Sequence, residues 1–501
     1  MTDRSIAART AIGATWVLVW RLAARSVGFV STLILARLLI PEDFGLVGLA
    51  TAFAGMIEMF TWIGVQDLLV LQRAPSREHY DTAFTISALR GLLMALALAG
   101  LAWPLAGFMS EPRLVSLILV MALGAAMSGV ENIGVVDFRR DMQFDREFRL
   151  QILPRLITAG VTLICALAFR SYWALPAGLL AGRTMRIVYS YTAHPYRPSI
   201  SLLHWRVFLG FSLWTWVGAI AYILRDKSDS LVVGRVLGAS PVGIYSLGVE
   251  LAQMPVSELL EPLGRALFSG FAVNTRAGEG NRHAFLRVTG LVALVIMPVS
   301  VGVSAVAAPV VALMFGPAWL GAVVVTQLLA VAGMLRVFGH VSGILLTATG
   351  TPRTPALISG LCGLIRLALL LALVPLWGLV GAATAALVAI AVEELVFAVV
   401  ICQRLELRAR SMLAQVWRGA SASAVMAGLL TWLRLGWAPA AGASAADFLN
   451  LVLAIGVGAA SYSGAVLVLW WAAGRPDGAE TEILGAIGVV WRKYGMRRHA
   501  N

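Results

Sequence analysis

The chain has 501 residues, 59% of them hydrophobic and only 13% charged, with a formal net charge of +13. Soluble domains carry about a quarter of their residues as charges, and apolar runs of about 20 residues recur along nearly the whole length here, so a separate soluble domain is excluded. The basic excess does not point to nucleic acid, because Lys and Arg are scattered in short segments between apolar runs, as the positive-inside rule disposes them.

In chain order, Arg4 and Arg9 precede a run from Ala11 to Ile40 that is too long for a signal-peptide core and reads as an uncleaved first helix. Further spans are expected near 44–70, 83–106, 114–136, 151–169, 172–192, 207–234, 243–272, 286–309, 319–348, 355–375, 378–402, 412–433 and 446–473. The fold class is therefore an all-α polytopic membrane protein of about 14 transmembrane helices. Most of the 39 basic residues fall at one set of helix ends, and only Arg37, Arg113, Arg170, Arg235 and Arg434 lie at the other. This asymmetry places both termini in the cytoplasm. Cys165, Cys362 and Cys402 all fall within spans, so no disulfide is expected.

An internal repeat organises the chain. Leu-Ala-Arg37-Leu-Leu39-Ile-Pro-Glu-Asp-Phe-Gly45-Leu-Val-Gly-Leu49 overlies Val-Gly-Arg235-Val-Leu237-Gly-Ala-Ser-Pro-Val-Gly243-Ile-Tyr-Ser-Leu247 at an offset of 198 residues. Six intervening spans give both copies the same orientation, so two parallel six-helix lobes are expected around a central cavity. The lobes are 1–192 and 207–403, joined by a polar connector at 193–206 that must tolerate their rocking. Two more helices follow in 404–475. The tail 476–501 carries Ile483, Leu484, Ile487, Val490, Trp491 and Tyr494 at helical spacing beside Arg492, Lys493, Arg497 and Arg498, and reads as a cytoplasmic amphipathic helix on anionic lipid. The loop from Asp137 to Arg149 is expected to form a solvated helix.

The candidate site follows from charges set in apolar runs, each costing about 2.5–3.5 kcal/mol at the centre of a bilayer helix. Arg21 and Arg25 lie one turn apart on the first span, and Arg225, Asp226, Lys227 and Asp229 cluster in the seventh. Arg25 precedes Arg37, and Arg225 precedes Arg235, by similar intervals, which puts both about 15–18 Å below the same landmark at 1.5 Å per residue. Arg21, Arg25, Arg225 and Lys227 are thus the candidate substrate-binding cations, since guanidinium forks match diphosphate oxygens. Asp226 and Asp229 are their counterions. Glu58 and Glu250, each the acid of its lobe's second helix, are candidates to carry a coupling proton if burial raises their pKa. Trp214, Trp216 and Tyr222 stand close enough to offer stacking faces for sugar rings. Arg90, Arg336, Arg366, Asp67, Glu131, Glu393 and Glu394 are read as interhelical pairs or snorkelling groups.

Four segments together resemble one known family. They are Ala36-Arg37-Leu-Leu-Ile-Pro41-Glu-Asp43-Phe44-Gly45-Leu, Arg139-Arg140-Asp-Met-Gln-Phe144, Asp229-Ser-Leu-Val-Val-Gly234-Arg-Val-Leu-Gly238 with Gly243-Ile-Tyr245, and Pro255-Val-Ser-Glu-Leu-Leu-Glu-Pro262-Leu-Gly-Arg265-Ala-Leu-Phe268. Their order and spacing, over roughly 10–400, are similar to the polysaccharide transporter family of the MOP superfamily, of colanic-acid and O-antigen exporter type. The resemblance implies a flippase moving undecaprenyl-diphosphate-linked oligosaccharide repeat units across the bacterial inner membrane by alternating access, with H+ or Na+ coupling in many such families and no cofactor. Membrane lipids, polysaccharide polymerases and assembly proteins are the implied partners. Related peptidoglycan-precursor flippases carry essential arginines in the first helix, which Arg21 and Arg25 match in type and place. A cation antiporter of the same superfamily would favour an acid-rich cavity, and an embedded glycosyltransferase or polymerase a large outer catalytic loop; neither feature is present in the sequence.

Overall fold

In the computed structural model, the described residues are 23, 25–61, 64–72, 75–206, 220, 223–277, 280–437, 445–476 and 478–482. Among them all regular structure is helical. Two compact units divide at Gly243/Ile244. The first therefore includes the segment from Arg225 to Gly243 as well as the six-helix stretch ahead of it.

The first unit contains α1 (25–38), α2 (Pro41–Phe60), α3 (Val65–Leu71), α4 (Arg77–Met109), α5 (Arg113–Gly129), α6 (Val136–Arg140), α7 (Phe144–Phe169), α8 (Ala174–Ala193) and α9 (Ser228–Leu237). Pro41 opens α2 because its fixed φ suits the first helical turn, and Asp43 Oδ2 accepts the Ile40 N–H at 3.2 Å to cap it. At 33 residues, α4 is about 50 Å long and exceeds the roughly 30 Å hydrocarbon core. Its Leu92, Leu93, Leu96 and Trp103 are exposed, as lipid-facing side chains should be. Between apolar helices in lipid the hydrophobic effect gives little drive, so contact relies on close packing of small residues. Gly91 of α4 meets Gly129 of α5 backbone to backbone, and Gly178 and Gly182 of α8 receive Thr162 and Thr158 of α7.

The second unit contains α10 (Ala239–Arg276, which begins in the first), α11 (Arg282–Val310), α12 (Ala322–Leu335), α13 (Val337–Ala348), α14 (Arg353–Arg404), α15 (Ala409–Trp432) and α16 (Ala445–Ala472). The expected spans 355–375 and 378–402 appear as one element, α14, broken at Gly378, whose φ of 58° and ψ of −132° favour a residue without Cβ. The expected span 319–348 is two helices bent by 47°. Phe285, Val292, Ile296, Val341, Leu345 and Ile401 form the core. The two C-terminal helices belong to this packing: Tyr462 donates to the Leu294 carbonyl at 2.6 Å, and α15 lies against α11. Arg418 of α15 holds Glu480 through two hydrogen bonds of 2.5 and 3.0 Å, so the tail begins bound to its own unit. The remainder of the expected amphipathic helix, 483–494, lies outside the described residues.

By length and apolarity, six described helices can cross a membrane, or eight if each bent pair counts as one span. The figure of fourteen is not reached among the described residues, where α8 and α15 are short of the mark because they carry arginines in their bodies.

Candidate functional site

The expected cationic site is described in part. Arg21, Trp214, Trp216 and Tyr222 lie outside the described residues. Arg25 is half-buried on α1. A short helical stretch, 223–226, ends at Lys227, which forms the N-cap of α9. Arg225 pairs with its neighbour Asp226, Nε and Nη2 each 3.0 Å from Oδ2. Asp229 is 5% exposed. Glu250 is exposed on α10.

The two glycines that coincide in the repeat meet in space. A methyl group on Gly45 would collide with the Ala239 carbonyl and approach the Gly243 amide, and one on Gly243 would collide with the Pro41 carbonyl. The first turns of α2 and α10 thus touch backbone to backbone within the first unit.

A cavity of about 430 Å³ opens within the same unit. Its walls come from α2, α3, α4, α5, α6 and α8, with a 69° bend after α5 turning Glu131 and Asn132 into it. Gly64, in the left-handed conformation at φ 65°, starts α3 beside it. Arg183 and Arg186 stand three apart on α8 and therefore share a face. Arg183 donates to the Gly124 carbonyl, where a side chain would press on the guanidinium arm. Arg186 Nε donates to Glu131 Oε2 at 2.8 Å, while Glu131 Oε1 is buried with no hydrogen-bond partner among the described residues. Arg139 lies between Asp67 at 3.8 Å and Glu147 at 3.4 Å. Arg90 and Glu58 complete the charged lining. Of these, only Glu58 is among the sequence-derived site residues. In the sequence Arg90 and Glu131 read as pairing or snorkelling groups, and Arg183 and Arg186 count only among the basic residues near the cytoplasmic helix ends, although their i, i+3 spacing in an apolar helix signals a shared face.

Beside the cavity, residues 194–202 run along α4 without regular structure, and a turn follows, closed by the Trp205 N–H on the Leu202 carbonyl at 3.2 Å. Asp81 Oδ1 accepts the Tyr196 hydroxyl at 2.5 Å and the Ser199 N–H at 3.0 Å; the Ser201 N–H donates to Thr85 Oγ1 at 3.0 Å, and Asn132 Nδ2 to the Tyr196 carbonyl at 2.8 Å. The connector is therefore docked on α4 over this length. Gly134 leaves room for it, since a Cβ there would strike His194 and Tyr196. His194 Nε2 lies 3.3 Å from Asp137 Oδ2. Burial pushes the His194 pKa below its ordinary 6.5, with Asp137 opposing. Burial, with the Asp81 carboxylate, pushes the Tyr196 phenol up, so it remains a donor. The segment 137–149 is helical on both sides of a turn, with Arg139, Asp145, Arg146 and Arg149 exposed, while Phe138 is 1% exposed and packs with Val135 and Leu150.

The family described as polysaccharide biosynthesis protein matches residues 34–324, more than half of the chain. The chain belongs to this family. It is 27% identical over 319 residues to the succinoglycan biosynthesis transport protein ExoT of Rhizobium meliloti (strain 1021), covering 63% of this chain and 65% of that protein. It is 26% identical over 354 residues to the lipopolysaccharide biosynthesis protein WzxC of Escherichia coli (strain K12), covering 69% and 71%. Among solved structures, the lipid II flippase MurJ in an inward closed conformation superposes with a TM-score of 0.72 at 12% identity, over 90% of this chain and 99% of that one. An inward-facing multidrug MATE transporter of the MOP superfamily gives 0.56 at 18% identity, over 77% and 98%. The fold is that of this transporter group, and the chain is a multi-pass membrane protein.

Proposed function

We propose that the chain is a flippase that moves undecaprenyl-diphosphate-linked oligosaccharide repeat units from the cytoplasmic to the periplasmic leaflet of a bacterial inner membrane, for surface polysaccharide assembly. The observation that carries this reading is the match of residues 34–324 to a polysaccharide biosynthesis family, in a chain that sets Arg25, Arg225 and Lys227 in apolar runs. Fixed cations in a low-dielectric setting offset the cost of taking a diphosphate away from water. Arg25, Arg225 and Lys227, with Arg21, supply cations for the headgroup, and Asp226 neutralises Arg225 when substrate is absent. Transport names among the relatives, and the fold shared with a lipid-linked precursor flippase, point the same way. No bond is made or broken, so the chain is a transporter rather than an enzyme. Both termini are cytoplasmic, as the arginine distribution requires, and a polysaccharide polymerase receives the flipped units.

Deletion should leave synthesis of lipid-linked repeat units intact and cause them to accumulate on the inner leaflet, read by leaflet-selective labelling. A stop in synthesis, or a change only in polymer length, would refute transport. Arg25→Ala and Arg225→Ala should each block export, with lysine at either position retaining part of it; normal surface polysaccharide with both alanines would remove these residues from the substrate path.

A further inference from the structure

The cavity of the first unit has a chemistry of its own. Four cationic side chains line it, Arg90, Arg139, Arg183 and Arg186, against three acids, Glu58, Asp67 and Glu131. With all seven ionised the lining carries one net positive charge. A diphosphate, with two or more negative charges, would be set beside three carboxylates that repel it. A single carboxylate would balance the lining.

The hydrogen-bonding inventory narrows the ligand further. Guanidinium groups donate in forks that fit a carboxylate. Among the described residues no donor reaches the buried Glu131 Oε1, and such an atom costs free energy unless a hydroxyl or N–H satisfies it. Ser87, Ser128 and Asn132 add neutral polar groups to the wall. A ligand with one carboxylate and several hydroxyls satisfies both halves of this lining. At about 430 Å³ the space falls within the roughly 300–1,000 Å³ typical of small-molecule sites and is too small for a long oligosaccharide.

We propose that this cavity is a binding subsite for one acidic sugar, a uronic-acid-type residue of the transported unit, whose carboxylate is held by Arg183 and Arg90 and whose hydroxyls donate to Glu131. The proposal rests on the flippase reading only for its biological role; the binding itself is independent of transport. The subsite makes the protein selective for repeat units that carry a carboxylate, and it separates sugar recognition from diphosphate recognition at Arg25 and Arg225. Arg186, paired to Glu131, positions that carboxylate and does not contact the sugar acid.

The test uses the purified full-length protein in lipid nanodiscs and saturation-transfer NMR with three probes: glucuronate, glucose and inorganic pyrophosphate. Glucuronate should give a saturable signal, glucose none, and pyrophosphate should fail to displace glucuronate. Arg183→Gln and Arg90→Gln should each weaken glucuronate binding roughly tenfold or more, the loss of one charge-assisted contact. Arg149→Gln, on an exposed stretch of α7 outside the cavity, should leave it unchanged. Thermal melting of each variant checks folding, and Arg183→Lys, which keeps the charge, supplies a second reading if the glutamine variant is unstable. Displacement by pyrophosphate at equal or lower concentration, equal binding of glucose, or no glucuronate signal in the wild type would each overturn the proposal. Failure of the flippase reading would instead appear in the deletion assay, with binding intact.

Discussion

Asp81 is the point at which the strap 194–204 can be released with least disturbance elsewhere. It is 5% exposed and accepts two hydrogen bonds, from the Tyr196 hydroxyl and the Ser199 N–H, with Arg77 4.0 Å away. Hydrogen bonds to a charged acceptor contribute about 1.5–3 kcal/mol each, against about 0.5–1.5 kcal/mol for the neutral ones made to Thr85 and Asn132. Asp81→Ala therefore removes roughly 3–6 kcal/mol from docking. At about 1.4 kcal/mol per tenfold, the undocked population should rise by about two to four orders of magnitude. Hydrogen–deuterium exchange of the full-length protein reads this directly: peptides spanning 195–204 should lose protection by that factor, while peptides from α11 and α14 stay unchanged. Asp81→Asn keeps an acceptor oxygen without the charge and should fall between. Unchanged exchange of the Ser199 and Ser201 amides in Asp81→Ala would refute the assignment of Asp81 as the anchor.

Docking should also weaken in acid. The folded pKa of His194 lies below 6.5, so its proton is held more readily when the strap is released; docking is undiminished above pH 6.5 and declines as pH falls below it. Exchange of 195–204, corrected for intrinsic rates, should be faster at pH 5.5 than at 7.5, and His194→Gln should flatten the difference; an equal pH response in that variant would sink the account. At the repeat, Gly45→Val places a branched side chain against the Ala239 carbonyl, and overpacking of this kind costs about 1–3 kcal/mol. Export should fall about tenfold or more, whereas Gly55→Val, in open space on the same helix, should export normally; equal export by both would refute the close contact.

The charge clusters legible in the sequence were those lying close together on one span. Arg225, Asp226, Lys227 and Asp229 stand out because each alone is expensive in an apolar run, and the structure indeed pairs Arg225 with Asp226. The Gly45–Gly243 correspondence was legible as a repeat, though not the fact that the two glycines touch. The spacing of Arg183 and Arg186 shows in the sequence that they share a face, and only the structure shows that this face borders a cavity. The connector shows the same limit: the sequence shows that its residues are polar, and only the structure shows that they bind α4.

Composition and hydropathy by themselves determined the class, all-helical and membrane-spanning, because the cost of placing a side chain in lipid is a property of each residue and sums along the chain. The family was legible too, since short ordered segments survive as sequence. Tertiary structure alone decided which arginines converge. That convergence depends on small-residue contacts such as Gly91 with Gly129 and Gly178 with Thr162, and on the 69° bend after α5, which bring Arg90, Glu131 and Arg183 to one cavity from positions far apart in the chain.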